Sequence, residues 1–466
     1  MADIAGLFSD IVGTEHVLTG DAVSDDYAHD EALTAEWRQP GVVVRPANTA
    51  EVARIVAVAN EHHIPLTARG SGTGLSGACI PVPGGVVVSF ERMNAILEID
   101  TENHVAVVQP GVTLRELDEV TRAHGLVYPV FPGESSASLG GNVNTNAGGM
   151  RAVKYGVTRH QVLGLEAVLG TGEIIRSGGK FVKATTGYDL TQLITGSEGT
   201  LALVTEATLK LYPRPAHATT VLAPYATLAE VAHAVPRIVA SGIGPLLVEY
   251  IDMLTMGTLV ANNPLELGVA ENIKEQALAY LVVVLEDRRA DRLEEDGVEL
   301  AQMCAELGAL DVYVLPPQAG EQLIAAREHA FWAAKAAGAN DLIDMVVPRA
   351  SITAYMEKVA EIAQASASFV AGCGHAGDGN VHLSVFQPDP DVRAKLIHDI
   401  LEFGMSLGGA ISGEHGIGTE KRQYVADLVN PASIELMRRI KTAFDPNRIL
   451  NPGKIFELDD AQGANQ

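Results

Sequence analysis

Two glycine-flanked segments in the last quarter of the chain carry the residue types best suited to chemistry. They are Gly374-His375-Ala376-Gly377-Asp378-Gly379-Asn380-Val381-His382 and Ser412-Gly413-Glu414-His415-Gly416-Ile417-Gly418. Two imidazoles across a glycine turn, joined by a carboxylate from a separate segment, make a His-His-carboxylate set of His375, His382 and Glu414. Such a set leaves coordination positions open for a substrate, as a catalytic metal requires. The same residues also admit a structural reading, in which one histidine caps a turn and the other sits satisfied at a strand edge.

A second chemistry-bearing region lies in the first half. Residues 69–77 read Arg-Gly-Ser-Gly-Thr-Gly-Leu-Ser-Gly, and Gly72, Gly74 and Gly77 satisfy G-x-G-x-x-G. A dinucleotide fingerprint needs a helix opening in that loop to receive the pyrophosphate. Here the chain continues Ala78-Cys79-Ile80-Pro81-Val82-Pro83-Gly84-Gly85, and two prolines with two glycines do not make that helix. What remains is a loop of small residues whose backbone N–H groups suit oxyanions, or an unliganded glycine turn. Two further segments argue for a ligand: Pro132–Arg151, with Gly140-Gly141 and Gly148-Gly149 around small polar residues, and Thr185–Thr200. Backbone at such glycines can approach a flat or phosphorylated molecule closely.

Read together, PLTARGSGTGLSG, SLGGNVNTNAGGMRAVKYGVTRHQVLGLEAVL and TGYDLTQLITGSEGTLALVTE resemble the FAD-binding domain of the vanillyl-alcohol-oxidase flavoproteins. This is the para-cresol-methylhydroxylase-type (PCMH-type) fold. Within it the motifs resemble the branch of D-lactate dehydrogenase, the glycolate oxidase flavin subunit and D-2-hydroxyglutarate dehydrogenase, over about residues 40–456. The resemblance implies that Arg69, Gly70, Ser71, Gly72, Thr73, Gly74 and Ser76 wrap the FAD pyrophosphate. It places Pro132, Gly133, Ser138, Gly141, Thr145, Asn146 and Gly148, then Glu198, Gly199, Val204 and Asn451, along the cofactor. Some members attach flavin to a histidine of the first loop; residues 69–77 contain none, so FAD is expected to be non-covalent.

The resemblance also resolves the histidine-rich segments into roles. His375, His382 and Glu414 correspond to the family's metal ligands, His415 to its catalytic base and Asn380 to a polar contact with substrate. The ligand set is complete without Cys373, which therefore reads as a packed small residue. Zinc, manganese and ferrous iron all suit this ligand set. A 2-hydroxy acid chelating such a metal has an acidified hydroxyl; His415 takes its proton while hydride passes to the flavin. The substrate carboxylate needs a further cation, and Arg327 in Ala325-Ala326-Arg327-Glu328-His329 is the candidate, its bland alternative being a solvated helix arginine.

The hydroxyglutarate enzymes carry a hydroxyl residue and a lysine for a distal carboxylate where, without gaps, Phe331 and Leu342 fall here. A D-lactate-like monocarboxylic acid is therefore expected. The competing readings are a flavin subunit of a multi-protein glycolate oxidase, a D-2-hydroxyglutarate dehydrogenase, and a flavin-binding protein whose histidine motifs are only structural. The sequence leaves the electron acceptor open among an electron-transfer flavoprotein, a quinone and a cytochrome, and leaves a homodimer open.

The elements that must position these residues follow from the periodicity. The expected class is α+β: a helical lead-in at 1–37 and a two-subdomain PCMH-type FAD-binding domain at 38–215. A substrate (cap) domain with an antiparallel sheet follows at 216–420, and a C-terminal helical segment at 421–466 returns to the FAD domain. Asn48 with Glu51, and Thr113 with Glu116, mark helix starts. Residues 128–200 read as glycine-rich and β-like, with a strand at 201–211; helices are expected at 227–240, 290–308, 318–337 and 351–365.

Bulk properties set the outer bounds. At 466 residues more than one core is needed. A formal charge of −25 excludes nucleic acid as a partner, because phosphate binding needs clustered Lys and Arg. Three cysteines, Cys79, Cys304 and Cys373, give no disulfide framework. With neither a signal sequence nor a transmembrane stretch in the reading, a cytoplasmic location is expected.

Overall fold

The computed structural model describes residues 4–263 and 265–457. Three sheets carry the architecture, and each is built from the β-branched runs seen in the sequence. The first is a four-stranded sheet in the order Val17–Thr19, Val42–Val44, Val86–Ser89, Leu66–Arg69. Its last three strands are parallel, and Val17–Thr19 pairs antiparallel with Val42–Val44. The helix Thr49–Glu61, capped by the Asn48 side chain on Glu51 N, buries Val52, Ile55, Val56 and Ala59 against this sheet. The lead-in is thus part of the first core, since Phe8 and Val12 bury there and residues 17–19 supply an edge strand.

The second sheet is antiparallel, ordered Ile96–Asp100, Val105–Val108, Ala202–Lys210, Val162–Leu169, Ile174–Gly178. The β-like expectation for residues 128–200 is corrected here. The stretch contains the helices Leu139–Thr145, Ala152–Tyr155 and Leu190–Ile194, while its strands are confined to Val162–Leu169 and Ile174–Gly178. Ser138 and Asp189 cap two of those helices through their side chains, on Gly141 N and Gln192 N. These short caps went unread beside the glycines. As expected, no helix follows the first glycine loop; residues 70–85 are irregular.

The third sheet has seven antiparallel strands, ordered Tyr313–Leu315, His217–Tyr225, Ala279–Asp287, Leu247–Asp252, Phe369–His375, Asn380–Phe386, Asp341–Val346. Alternation sorts its two faces. Val248, Tyr250, Ile343, Met345, Val381, Leu383 and Val385 join the large core beneath the helices Leu228–Ala240, Ala290–Glu306, Ile352–Ala365 and Pro390–Ser406. The residues between them point to the opposite face, toward the helices Met253–Asn262 and Pro317–Glu328. The helix expected over 318–337 is broken at His329 into Pro317–Glu328 and Ala330–Ala336, with neither Pro nor Gly at the break.

The C-terminal helices Arg422–Leu428 and Pro431–Phe444 lead back to the first sheet, where Leu66 N bonds Ile449 O at 2.7 Å and Asn451 N bonds Leu66 O at 2.7 Å. Buried Lys441 fastens this return. Its Nζ donates to Thr200 O at 2.6 Å, Leu450 O at 2.7 Å and Asp445 Oδ2 at 2.5 Å. Among the described residues no helix is long and apolar enough to cross a membrane.

Candidate active site

Two adjoining cavities share a seam. The first is lined by Arg69, Gly70, Ser71, Gly72, Thr73 and Gly74 from the first glycine loop. Pro132, Ser138, Gly141, Thr145, Gly148, Glu198, Gly199 and Val204 line it from the later segments. The glycines are there because side chains would not fit. A Cβ at Gly70 would collide with the Ser138 hydroxyl, and one at Gly148 would lie 2.5 Å from Glu414 Oε2. Asp30 Oδ2, Asn142 Nδ2 and Asn144 Oδ1 are buried in this lining without a hydrogen-bond partner. The Asn142 amide and the loop N–H groups can donate to a phosphate, and the Asp30 and Asn144 oxygens can accept from hydroxyl or amino groups, a mixture that fits a polar nucleotide ligand of FAD's kind.

Four residues assigned to the cofactor stand elsewhere. Ser76 is buried under the loop and its carbonyl receives Thr419 N at 3.0 Å. Asn146 ends the helix Leu139–Thr145 in the left-handed region and its Oδ1 accepts Arg159 N at 2.9 Å. Gly133 lines the second cavity. Asn451 Nδ2 donates to Glu198 O at 2.7 Å and Ala78 O at 2.9 Å, so it ties the cleft walls together. Glu198, in turn, accepts from Ile417 N at 2.6 Å and Gly418 N at 2.7 Å, which docks the Glu414–Gly418 segment onto the cleft.

The second cavity is floored by the third sheet. Alternate residues of two strands face it: Phe369, Ala371, Cys373 and His375 on one, His382, Ser384 and Phe386 on the next. Leu254, Leu259, Phe331, Leu342 and Arg327 complete it. Glu414 and His415 line both cavities and so stand at the seam.

At that seam the carboxylate and histidines cluster. Glu414 Oε1 is 3.2 Å from His375 Nε2 and 3.1 Å from His382 Nε2, and the three residues' ligand atoms lie within 4.8 Å of one another, a spacing that could hold a metal ion. The ring of His415 stacks on that of His382 with centroids 5.1 Å apart. Burial opposes charge throughout. Even so, Glu249 and Glu414 hold His375 well above its ordinary pKa, and His375 and His382 hold Glu414 below the usual carboxylate range. Burial dominates at His415 and lowers it to about 4, leaving a neutral imidazole able to accept a proton.

Arg327 is 7% exposed, and its Nη2 lies 2.9 Å from Glu249 Oε2 without hydrogen-bond alignment. Nε and Nη2 are both buried without a hydrogen-bond partner, poised for an anion in the cavity. Asn380, expected from the resemblance to contact substrate, is turned away from the chamber. Its amide is spent internally, on Asp344 Oδ1 at 2.8 Å and Met345 O at 3.1 Å, and it does not line the cavity. Two strand positions on, Ser384 is the polar group that does.

Sequence reasoning missed two buried carboxylates. Asp344 accepts from Ser412 Oγ at 2.7 Å, Glu414 N at 3.0 Å and His415 N at 2.9 Å, so it sets the backbone carrying both seam residues. Burial opposes its charge, yet His415, Lys421 and His382 hold its pKa well below the ordinary value. Glu249 lies 2.6 Å from His375 Nδ1. Both acids interrupt apolar strands, Leu-Val-Glu-Tyr-Ile and Leu-Ile-Asp-Met-Val, and that interruption was the available signal.

A glycine-walled cleft opening through a His-Glu-His seam onto an apolar chamber defines a flavoprotein of the PCMH-type fold. The solved structure of p-cresol methylhydroxylase with substrate bound superposes with a TM-score of 0.82 at 19% identity, covering 98% of this chain and 97% of that one. Residues 40–178 match the FAD binding domain family and residues 214–455 match FAD linked oxidases, C-terminal domain. The chain belongs to the FAD-linked oxidase family. It is 56% identical over 456 residues to an uncharacterized FAD-linked oxidoreductase of Mycobacterium tuberculosis (strain H37Rv), covering 98% of this chain and 99% of that protein. It is also 39% identical to the glycolate oxidase subunit GlcD of Bacillus subtilis (strain 168), covering 93% and 92%. Identity to a D-lactate dehydrogenase of Archaeoglobus fulgidus is 37%, covering 93% and 96%.

Proposed function

We propose that the protein oxidises a D-2-hydroxy acid with one carboxylate and an apolar side chain to the 2-oxo acid, using non-covalent FAD and a divalent cation. The observation that carries this reading is the seam: Glu414 and His415 border both the glycine-lined cleft and the chamber holding Arg327. Arg327 binds and orients the substrate carboxylate through Nε and Nη2, neither of which makes an aligned hydrogen bond. His375, His382 and Glu414 would hold the cation, which would polarise the substrate hydroxyl. His415 accepts the hydroxyl proton on its neutral imidazole. Asp344 fixes the peptide that carries that ring. The glycine-lined cleft would hold FAD, which would supply the two-electron acceptor for the oxidation at Cα. Leu254, Leu259, Phe331, Leu342 and Phe386 surround the rest of the substrate and exclude water from it.

The relatives named D-lactate dehydrogenase and glycolate oxidase subunit support the 2-hydroxy-acid chemistry. The second of those names favours an alternative in which this chain is a flavin subunit passing electrons to partner chains. Anaerobic addition of paired D- and L-2-hydroxy acids to the FAD-loaded protein tests the reading. D-lactate and longer apolar D-acids bleach the flavin and their L-forms do not; a flavin left oxidised by every acid would overturn it.

A further inference from the structure

The Glu249 side chain lies on the cavity side of the third sheet, because its neighbours Val248 and Tyr250 bury in the helix-covered core on the other side. The strand register sets Tyr250 opposite Gly374 and Ile251 opposite Cys373, which carries Glu249 up to His375. It is fully buried and is not among the residues lining the chamber, so it meets the substrate only through others. Its Oε1 is 2.6 Å from His375 Nδ1 and its Oε2 is 2.9 Å from Arg327 Nη2. We infer that Glu249 is a positioning residue that couples the Arg327 clamp to His375, so that binding of the substrate carboxylate and binding of the divalent cation reinforce one another. This rests on the function proposed above.

The chemistry is that of one acceptor shared by two donors. A carboxylate only accepts, so His375 Nδ1 carries the proton of that bond and Nε2 is turned toward Glu414, 3.2 Å away. A carboxylate behind a ligand histidine fixes the ring and strengthens its outer nitrogen as a donor to a cation. Arg327 draws on the same carboxylate, and its contact is close but poorly aligned. An incoming substrate carboxylate takes up the guanidinium's Nε and Nη2, which make no aligned hydrogen bond, leaving Glu249 to act more fully on His375. Linkage makes the effect mutual. An acid inside the apolar run Leu247-Val248-Glu249-Tyr250-Ile251 otherwise costs stability, since a charge stripped of water must be matched by its partners.

The test titrates Mn(II) alone into FAD-loaded wild type, Glu249→Gln and Glu249→Asp, reading Mn(II) affinity, the flavin spectrum, kcat and KM for D-lactate. Glu249→Gln is expected to loosen Mn(II) about 10–100-fold and to raise KM more than it lowers kcat, with the flavin spectrum unchanged. Glu249→Asp keeps the charge beside Arg327 but withdraws it by one methylene, and moves in the same direction should the Gln variant not fold. Arg327→Met shifts Mn(II) affinity in the wild-type background, and that shift shrinks in Glu249→Gln. Native-like Gln and Asp variants that bind Mn(II) within about twofold of wild type would overturn the coupling. If wild type itself binds no Mn(II), the cation reading of the site fails and the coupling fails with it, whereas Mn(II) binding that the variants leave unchanged overturns the coupling alone.

Discussion

Exchanging the methyl of D-lactate for the carboxyethyl group of D-2-hydroxyglutarate puts the chamber's chemistry to its hardest trial. The added carboxylate would reach walls formed by Leu254, Leu259, Phe331, Leu342, Phe369 and Phe386. Among the described lining residues Arg327 is the one Lys or Arg, and it is committed to the first carboxylate. Lys335, one turn beyond Phe331, points away to an ion pair with Glu31 at 2.6 Å. Glu328 lines the chamber, its carboxyl pushed up to about 7 chiefly by burial, so above that pH it adds a repelling charge. A carboxylate stripped of water there without a partner costs about 3–4 kcal/mol after partial solvation through the open mouth. At about 1.4 kcal/mol per tenfold, the specificity constant falls about 10²–10³-fold. Steady-state kinetics with an artificial dye acceptor at about pH 8, where Glu328 is ionised, measure both substrates side by side. An equal or higher kcat/KM for D-2-hydroxyglutarate would refute the reasoning from the apolar wall while leaving the flavin chemistry standing.

The purified protein should be yellow and release its FAD on denaturation, because the first glycine loop offers no histidine for attachment; colour that stays with the precipitated chain contradicts this. Chelation should abolish turnover and leave the flavin spectrum intact, with His375→Ala and Glu414→Ala behaving alike, and full activity in metal-stripped enzyme would remove the cation from the mechanism. Asp30 is 4% exposed with its carboxyl pushed up to about 6, chiefly by burial. Because this folded pKa lies above the unfolded value of about 3.9, native protein holds a proton that unfolded chain releases, and stability is lost as pH rises from about 4 to about 6. Asp30→Asn should flatten that loss and leave the apoprotein about 2–3 kcal/mol more stable near neutrality; urea unfolding that shows the same pH slope in both proteins counts against it.

The local signals in the sequence proved sufficient wherever structure is decided by near neighbours. Side-chain caps at Asn48 and Thr113 start the helices expected of them, and Pro81, Pro83 and the paired glycines after Gly77 keep that segment from forming a helix. The valine runs became strands, and the glycine segments line one cleft, where Gly70 and Gly148 leave no room for a Cβ and Gly199 takes a positive φ. Where local cues are weaker, tertiary contacts decide the structure. The helices of residues 139–155 hide among glycines and asparagines of low propensity, and they stand because side-chain capping and tertiary burial support them. The break at His329, which sets Arg327 at a helix end, has no local cue at all.

The types of residue able to do chemistry were fixed by the sequence itself: two histidines across a turn, a Glu-His pair, an arginine, and three small-residue loops. Which of them meet was decided only by the tertiary structure. Strand alternation carried His382 and Ser384 onto the chamber face, while hydrogen bonds to Asp344 and Met345 turned the Asn380 amide inward. Asp344 and Glu249 lie 71 and 126 residues from the histidine groups they bond, and no periodicity spans such gaps. Their positions follow from sheet register and from the need to match a buried carboxylate with donors, a condition imposed by the low dielectric of the folded core.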